Sequence, residues 1–422
     1  MFNSIRERMK RRRRRKSMRL RKGRGQRSAS RFSASSLGPV LKIGAIVLAV
    51  AGLAALVIFV IVPLFDGGGK AAPTPTPTET PSPTPKPTPI AKPDMSEGTE
   101  ELAIPNQSIN DPYVFGREVV FSTGEAEQMS PEINTIAIYN LDSKATEAVA
   151  EIKMKYTSLF EPKINEKFIV YLDCKSSDGG AVCAYDRTNK TSFVMREYAY
   201  GKPKVSLAGE YALWLQQTGK GTDKLYLYHL STQESVVIEE LVDPDFVRFS
   251  PSAAYLSDEA LVFVEPKDET KVVEGRASAS SSVSEESEIR MIPMKEGGDQ
   301  QSIQFLPGTY AYDPMIDGDY LVFMNGPRDD DSDLMLCTRT GDTYSAPVMI
   351  AENVLNYCVG DGFVAYTKDD AVFVYYFVDG SSGRVSAEST RAYLSSATGK
   401  DIVWYDITDI EAANVVIYQQ VP

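Results

Sequence analysis

Histidine is almost missing from this chain: His229 is the only one among 422 residues, beside two tryptophans and four cysteines. One imidazole is too few for the usual multi-histidine zinc sites, and any Ser-His-Asp triad would hang on a single residue inside the run LYLYHL. Also absent are the G-x-S-x-G nucleophile elbow, the phosphate-binding loop and the H-E-x-x-H helix motif. The sequence therefore nominates no catalytic, cofactor-binding or metal-ligating residue, and it implies no cofactor.

Charge is missing in a second, local sense. Residues 43–65, IGAIVLAVAGLAALVIFVIVPLF, carry no charged side chain. As a helix at about 1.5 Å per residue this run extends roughly 34 Å, enough for a hydrocarbon core of about 30 Å. It is too long for a signal-peptide core and has no polar face for a buried helix. We read it as one uncleaved transmembrane signal-anchor helix.

The two flanks of that segment carry opposite charge. Residues 1–38 hold fifteen Lys and Arg against one acid, Glu7, whereas from Gly98 onward 26 basic residues face 52 acidic ones. Basic residues beside a span stay in the cytoplasm, which makes 1–42 a cytoplasmic tail and places the rest outside the membrane. A polybasic tail is also drawn to anionic lipid. Charge alone would equally serve nucleic acid, but the tail has little aromatic residue for stacking and no recognition fold. The acidic remainder disfavours nucleic acid as a partner of the outer part. Residues 66–99 follow the span, with proline at nearly every second position of APTPTPTETPSPTPKPTPIAKP. Such a segment is a semi-rigid polyproline stalk.

Residues 100–422 repeat. Seven apolar runs share a shape: EVVFST, FIVYLD, YALWLQ, ALVFVE, YLVFMN, FVAYTK and DIVWYD. Their fourth positions are Phe121, Tyr171, Trp214, Phe263, Phe323, Tyr366 and Trp404. The spacing between them brackets the period of propeller blades. A second apolar run follows each first one, from IAIYNL to VVIYQQ, so each repeat contains a hairpin. Runs apolar at nearly every position bury both faces, which sheets stacked on neighbouring sheets require. A proline lies nine residues before the aromatic in three repeats, Pro112, Pro162 and Pro314, where an inner edge strand would tolerate it. The seventh repeat has no outer strand before Pro422. EELAIPN, beginning at Glu100, is expected to fill that place and close the ring, since an open edge would leave unpaired amides.

The expected fold is therefore all-β: a seven-bladed β-propeller ectodomain on a single N-terminal transmembrane helix with a Pro/Thr-rich stalk. FSPSAAYLSDEALVFV from Phe249 and KLYLYHLSTQES from Lys224 carry a resemblance to the TolB-like β-propellers. Similar repeats occur in the propeller domains of prolyl oligopeptidase and dipeptidyl-peptidase relatives. The resemblance implies a propeller architecture. Because the hydrolase elbow of those peptidases is missing here, it implies a binding scaffold and not a peptidase.

Smaller features remain. Residues 267–288, a serine-rich insertion in the fourth hairpin, read as a flexible loop. Asp329, Asp330, Asp331 and Asp333 crowd one hairpin loop without the spacing of a calcium hand, so a solvated turn is expected. SSDGG, from Ser176, reads as a turn. Cys174 and Cys183 flank one hairpin turn, which leaves a cross-strand disulfide and two free thiols both open. Cys337 and Cys358 are expected as free buried thiols.

The leading functional reading is a membrane-tethered, extracytoplasmic and non-enzymatic scaffold at the cell envelope. Its partner would be a protein or an envelope glycan, bound by loops of one face and the channel mouth. This reading expects an apolar or aromatic patch on that face. Two alternatives stand beside it. An extracytoplasmic lyase or glycosidase expects buried carboxylates converging at the mouth. A ligand sensor would report to the basic tail.

Overall fold

The computed structural model describes residues 98–422 apart from 106–107, 125–131, 219–221, 243–251, 267–286, 295–300, 304–310, 327–331 and 410–414. The basic tail, the apolar segment 43–65 and the Pro/Thr-rich stretch lie outside the described residues. So do Asp329, Asp330 and Asp331 and all of the serine-rich insertion except Ser287 and Glu288. Among the described residues, no helix is long and apolar enough to cross a membrane.

Seven antiparallel sheets succeed one another along the chain. Their inner strands, numbered here as blades 1 to 7, are Ile109–Phe115, Ser158–Ile164, Val205–Ala208, Tyr255–Leu256, Ala311–Asp317, Asn356–Gly360 and Ala392–Thr398. In blades 1 to 6 the chain then runs outward through a second, third and outer strand; blade 5 adds the short strand Thr343–Tyr344. This is the seven-bladed propeller that the repeats lead one to expect. The predicted hairpins fall in place, with Tyr171 opposite Cys183 in blade 2 and Trp214 opposite Tyr226 in blade 3. The insertion in blade 4 ends slightly earlier than its serine content suggests, because Ser287 already pairs with Pro266.

Packing explains why the repeats cannot stand apart. The core consists of seven apolar clusters, each shared by two adjacent blades. The seven aromatic anchors are at most 5% exposed, so each fills a junction and leaves no face free. Burying one such side chain contributes about 1.5–3 kcal/mol.

Hydrogen bonds near the axis repeat the arrangement at all seven junctions. The Glu161 amide donates to Asp111 Oδ2 (3.0 Å), Asn165 Nδ2 to Gly209 O (2.8 Å) and the Leu256 amide to Ser206 Oγ (2.9 Å). The Asp313 amide donates to Ser252 Oγ (2.7 Å), the Gly362 amide to Asp317 Oδ2 (2.8 Å) and Asn356 Nδ2 to Leu394 O (2.7 Å). The Val114 amide reaches Ser396 Oγ at 3.0 Å and joins blade 1 to blade 7. Inner strands expose one edge to the channel, and these side chains satisfy backbone groups that a sheet alone would leave open.

The three prolines sit in β-bulges, not simply on an open edge. Pairing skips between Asn110 and Tyr113, between Phe160 and Lys163, and between Tyr312 and Met315. In each gap an acid precedes the proline with positive φ: Asp111 at 51°, Glu161 at 49° and Asp313 at 45°. Left-handed backbone costs a non-glycine residue about 1 kcal/mol or more. Asp111 and Asp313 offset that cost by bonding across junctions.

Closure follows the expectation. Glu100 opposes Tyr418 and Glu101 opposes Ile417, so the start of the propeller supplies the outer strand of blade 7. The Leu102 amide continues the pairing to Val416 O at 2.9 Å, and its side chain is buried with Ile109, Val403 and Tyr418.

The cysteines resolve one open alternative. All four are free. Cys174 faces Gly180 and Cys183 faces Tyr171, so the hairpin register separates the two thiols by three positions. Cys174 Sγ instead lies 3.1 Å from the Tyr198 hydroxyl. Burial pushes the Cys183 and Cys337 thiols up to about 12, which leaves them inert at neutral pH. Cys358, expected to be buried, is only partly so.

One buried acid holds a connection between blades. Asp173, 2% exposed, accepts the amides of Lys155 (2.6 Å) and Tyr156 (3.0 Å) just before the inner strand of blade 2. Replacing Asp173 with alanine strands both donors. The expected loss is about 2–3 kcal/mol, read as a lower urea midpoint with an unchanged m-value.

Candidate functional site

The site is built from one repeated position. On every inner strand, one residue stands opposite the residue that precedes the aromatic anchor. Around the ring these are Tyr113, Lys163, Ser206, Tyr255, Met315, Cys358 and Ser396. The next residue along each inner strand is apolar and packs between blades, for example Val114, Ile164 and Ile316. Alternation along a strand therefore leaves the first set for the channel. Ser206 and Ser396 turn to neighbouring backbone, so Tyr113, Lys163, Tyr255 and Cys358 dominate the lining.

Electrostatic coupling across the ring agrees with this placement. Lys163, on blade 2, is influenced by Glu161 on its own strand and by Asp111, Lys204 and Cys358 on blades 1, 3 and 6. Burial drives the Lys163 ammonium below its ordinary value, with Glu161 opposing the shift. Its nitrogen lies 5.7 Å from the Tyr113 ring centroid, a cation–π contact. Burial, reinforced by Asp111, raises the Glu161 carboxyl, while Lys163, Lys204 and Lys202 pull it back.

The remaining charges are better paired. Asp313 Oδ1 accepts the Ala253 amide at 2.5 Å, and Oδ2 lies 3.4 Å from Lys204 Nζ. The Asp313 carboxylate raises the Lys204 ammonium. Lys202 lies over the Phe160 ring at 3.8 Å. Burial lifts the Cys358 thiol to about 11 although Lys163 and Lys204 lower it, so it stays protonated at neutral pH.

The rim carries exposed apolar groups. Tyr200 and Leu355 lie on connections between blades, and Tyr393 begins the inner strand of blade 7. All three belong to the face where inner strands start. Tyr393 is coupled to Lys204, Cys358 and Asp111. At the other end of the channel, burial raises the Asp317 carboxyl, with Asp361 and Glu259 adding to the shift.

His229 has no part in this site. It ends the third strand of blade 3, its Nδ1 accepts the Thr232 amide at 3.2 Å, and its ring meets Tyr211 edge-on at 4.8 Å. SSDGG is a turn leading into the strand Gly180–Asp186, as expected. Sequence reading found the prolines and named Cys358 only as a free thiol, but missed Glu161, Lys163, Tyr113 and Tyr255. A signal was present: each of the three prolines follows an acid, and Tyr113 and Lys163 directly follow two of them.

The raised Glu161 carboxyl sets a pH dependence. Unfolded, the group ionises in the ordinary range; folded, it holds its proton to higher pH. The native state thus binds more protons between the two values, and stability falls as pH rises through that window. Glu161→Gln is expected to melt higher than the parent at pH 7 and equally near pH 3, below the ordinary carboxyl range, where the parent is protonated in both states. Thermal melts at the two pH values check this.

No protein-family model matches the chain, and no curated protein matches it. Solved structures do. The β-propeller domain of the Trilobed protease from Pyrococcus furiosus, described as having an open velcro topology, is 14% identical with a TM-score of 0.53. That match covers 74% of this chain and 92% of that one. A prolyl endopeptidase matches at 13% identity and a TM-score of 0.50, over 75% of this chain and 48% of the enzyme. The chain thus spans about half the length of that peptidase. TolB from Acinetobacter baumannii matches at 12% identity over 60% of this chain and 63% of that one, with a TM-score of 0.38. At these identities the likeness to the first two establishes the fold alone, a β-propeller, here with its ring closed by Glu100–Glu101.

Proposed function

We propose that this chain is a membrane-tethered, extracytoplasmic β-propeller acting as a non-enzymatic binding scaffold at the cell envelope. In this reading residues 1–42 form the cytoplasmic tail on anionic lipid, 43–65 the single span, 66–99 the stalk and 100–422 the binding domain. The kinship is with TolB-like propellers that lack a hydrolase domain. A protein or envelope glycan binds at the mouth where the inner strands begin.

One observation carries the reading. Glu161 and Lys163 enter the channel from one strand, yet neither has an ion-pair partner among the described residues. Charged groups held at some cost in a channel, beneath a rim that exposes Tyr200, Leu355 and Tyr393, fit a site awaiting a ligand. The enzymatic alternative is not favoured. Asp111 and Asp313 each commit an oxygen to a backbone amide across a blade junction, which gives both a structural role.

A photo-crosslinking residue at Tyr393 of the full chain, in cells, tests the proposal. Adducts are expected from Tyr393 and not from Thr188 in a turn on the opposite face. Equal labelling from both positions, or none from either, overturns it.

A further inference from the structure

The strand that closes the ring is also the place where the preceding chain enters it. Inner strands run from the mouth to the opposite face, so Val415–Gln420, the third strand of blade 7, runs the same way. Glu100–Glu101 lies antiparallel to it and therefore begins at the face away from the mouth. A pull carried by the residues ahead of Glu100 reaches this strand before it reaches any blade.

The load path has a weak stage and a strong one. The weak stage consists of the opposed pairs Glu100–Tyr418 and Glu101–Ile417, the Leu102 amide on Val416 O at 2.9 Å, and the buried Leu102 side chain. The strong stage begins at Ser108, whose carbonyl accepts the Thr123 hydroxyl at 2.6 Å. The inner strand Ile109–Phe115 then pairs with Glu118–Thr123 and is tied to both neighbouring blades. Its Val114 amide donates to Ser396 Oγ at 3.0 Å, Pro112 O accepts Ser395 Oγ at 2.8 Å, and Asp111 Oδ2 accepts the Glu161 amide at 3.0 Å. The bonds to Ser395 and Ser396, with Arg117 Nη1 on the Tyr418 hydroxyl at 3.1 Å, join blades 7 and 1 independently of the closing strand. Losing that strand therefore bares an edge without parting the blades, a local opening held by few contacts.

We propose that residues 100–104 form a strap that tension on the N-terminal chain detaches while all seven blades stay folded. Release uncovers the edge of Val415–Gln420 and the apolar recess that Leu102 fills beside Val403, Val416 and Tyr418. A bared edge of this kind offers backbone groups to an extended segment. The strap thus couples the state of blade 7 to the load on the chain ahead of it. This inference takes its source of tension from the membrane-tethered reading, and it adds a mechanical response to that reading.

Single-molecule pulling on the full chain in detergent tests it, with one handle at Gly98, just ahead of the strap, and the other at the exposed Leu355 on the mouth face. An early, reversible step is expected at a force below that of blade unfolding. Its length should be up to about 30 Å, since residues 100–108 extend by roughly 3.4 Å each. Moving the first handle to Thr188, on the face where the strap begins, bypasses the strap and should abolish the step. Leu102→Ala should raise the release rate at fixed force about tenfold or more. The oxidised pair Glu101→Cys with Ile417→Cys should remove the step, and it keeps the proposal falsifiable if Leu102→Ala fails to fold. No step ahead of blade unfolding, an unchanged step in the cross-linked pair, or the same step from the Thr188 handle overturns the proposal. Each of these results would leave labelling at Tyr393, and with it the scaffold reading, intact.

Discussion

Deleting residues 100–104 lowers the stability of the propeller by about 4–6 kcal/mol, from the buried Leu102 side chain, the apolar surface it covers and the lost strand pairing. For a domain of this size that is a fall in melting temperature on the order of 10 °C or more. The segment is short, yet it carries three consecutive attachments: Glu100 to Tyr418, Glu101 to Ile417, and the Leu102 amide to Val416. Leu102 seals the junction of blades 7 and 1, with Ile104 packed beside it. Without them Val415–Gln420 becomes an open edge and invites pairing with other chains. The Lys144–Glu100 ion pair contributes little, since both side chains are well exposed. Leu102→Ala isolates the packing part of the loss at about 2–3 kcal/mol. Thermal melts with light scattering distinguish the outcomes: the deletion should both melt earlier and aggregate, and the point variant should only melt earlier.

Trp214→Ala costs about 3–5 kcal/mol. Trp214 is fully buried at the junction of blades 2 and 3, against Phe168, Val170, Leu172 and Tyr198. Its ring stacks on Tyr226 at 5.6 Å, and Tyr228 lies at 6.4 Å. Neighbouring blades are held by hydrogen bonds near the axis and cannot collapse into the void, so the cavity persists. Trp214→Phe keeps an aromatic ring and should lose well under half as much. Urea denaturation followed by far-UV dichroism reads both variants without relying on the lost fluorophore. A loss below 1 kcal/mol for alanine would mean that the junction is not packed as described.

Much of the architecture was legible because propeller repeats write packing into short runs. FIVYLD and YALWLQ bury both faces in the structure, as their composition requires. The seventh repeat announced its own closure by lacking an outer strand. Register was less visible. Cys174 and Cys183 bracket a turn symmetrically in sequence, but the hairpin pairs Cys174 with Gly180, and a three-residue offset forbids the bridge. The bulges were half visible. Pro112, Pro162 and Pro314 marked the place, but a positive φ at Asp111, Glu161 and Asp313 follows only from the skipped pairing.

The candidate site was hidden for a different reason. Lys163 sits in EPKINE, a stretch like many exposed polar segments. What makes it unusual is supplied by blades 1, 3 and 6, through Asp111, Lys204 and Cys358. Closing the ring brings together groups that are unrelated along the chain. The site is thus a property of the circle and not of any repeat.

Closure is therefore the claim on which the rest depends, and a cross-link between the two ends tests it. Opposed residues in an antiparallel pair have Cα atoms about 4.5–5.5 Å apart, within the span of a disulfide. Glu101 and Ile417 are such a pair. In the variant Glu101→Cys with Ile417→Cys, mild oxidation should yield a disulfide-linked peptide containing both positions and a higher melting temperature. If both introduced thiols instead alkylate freely in the folded protein under oxidising conditions, the ring is not sealed by these strands.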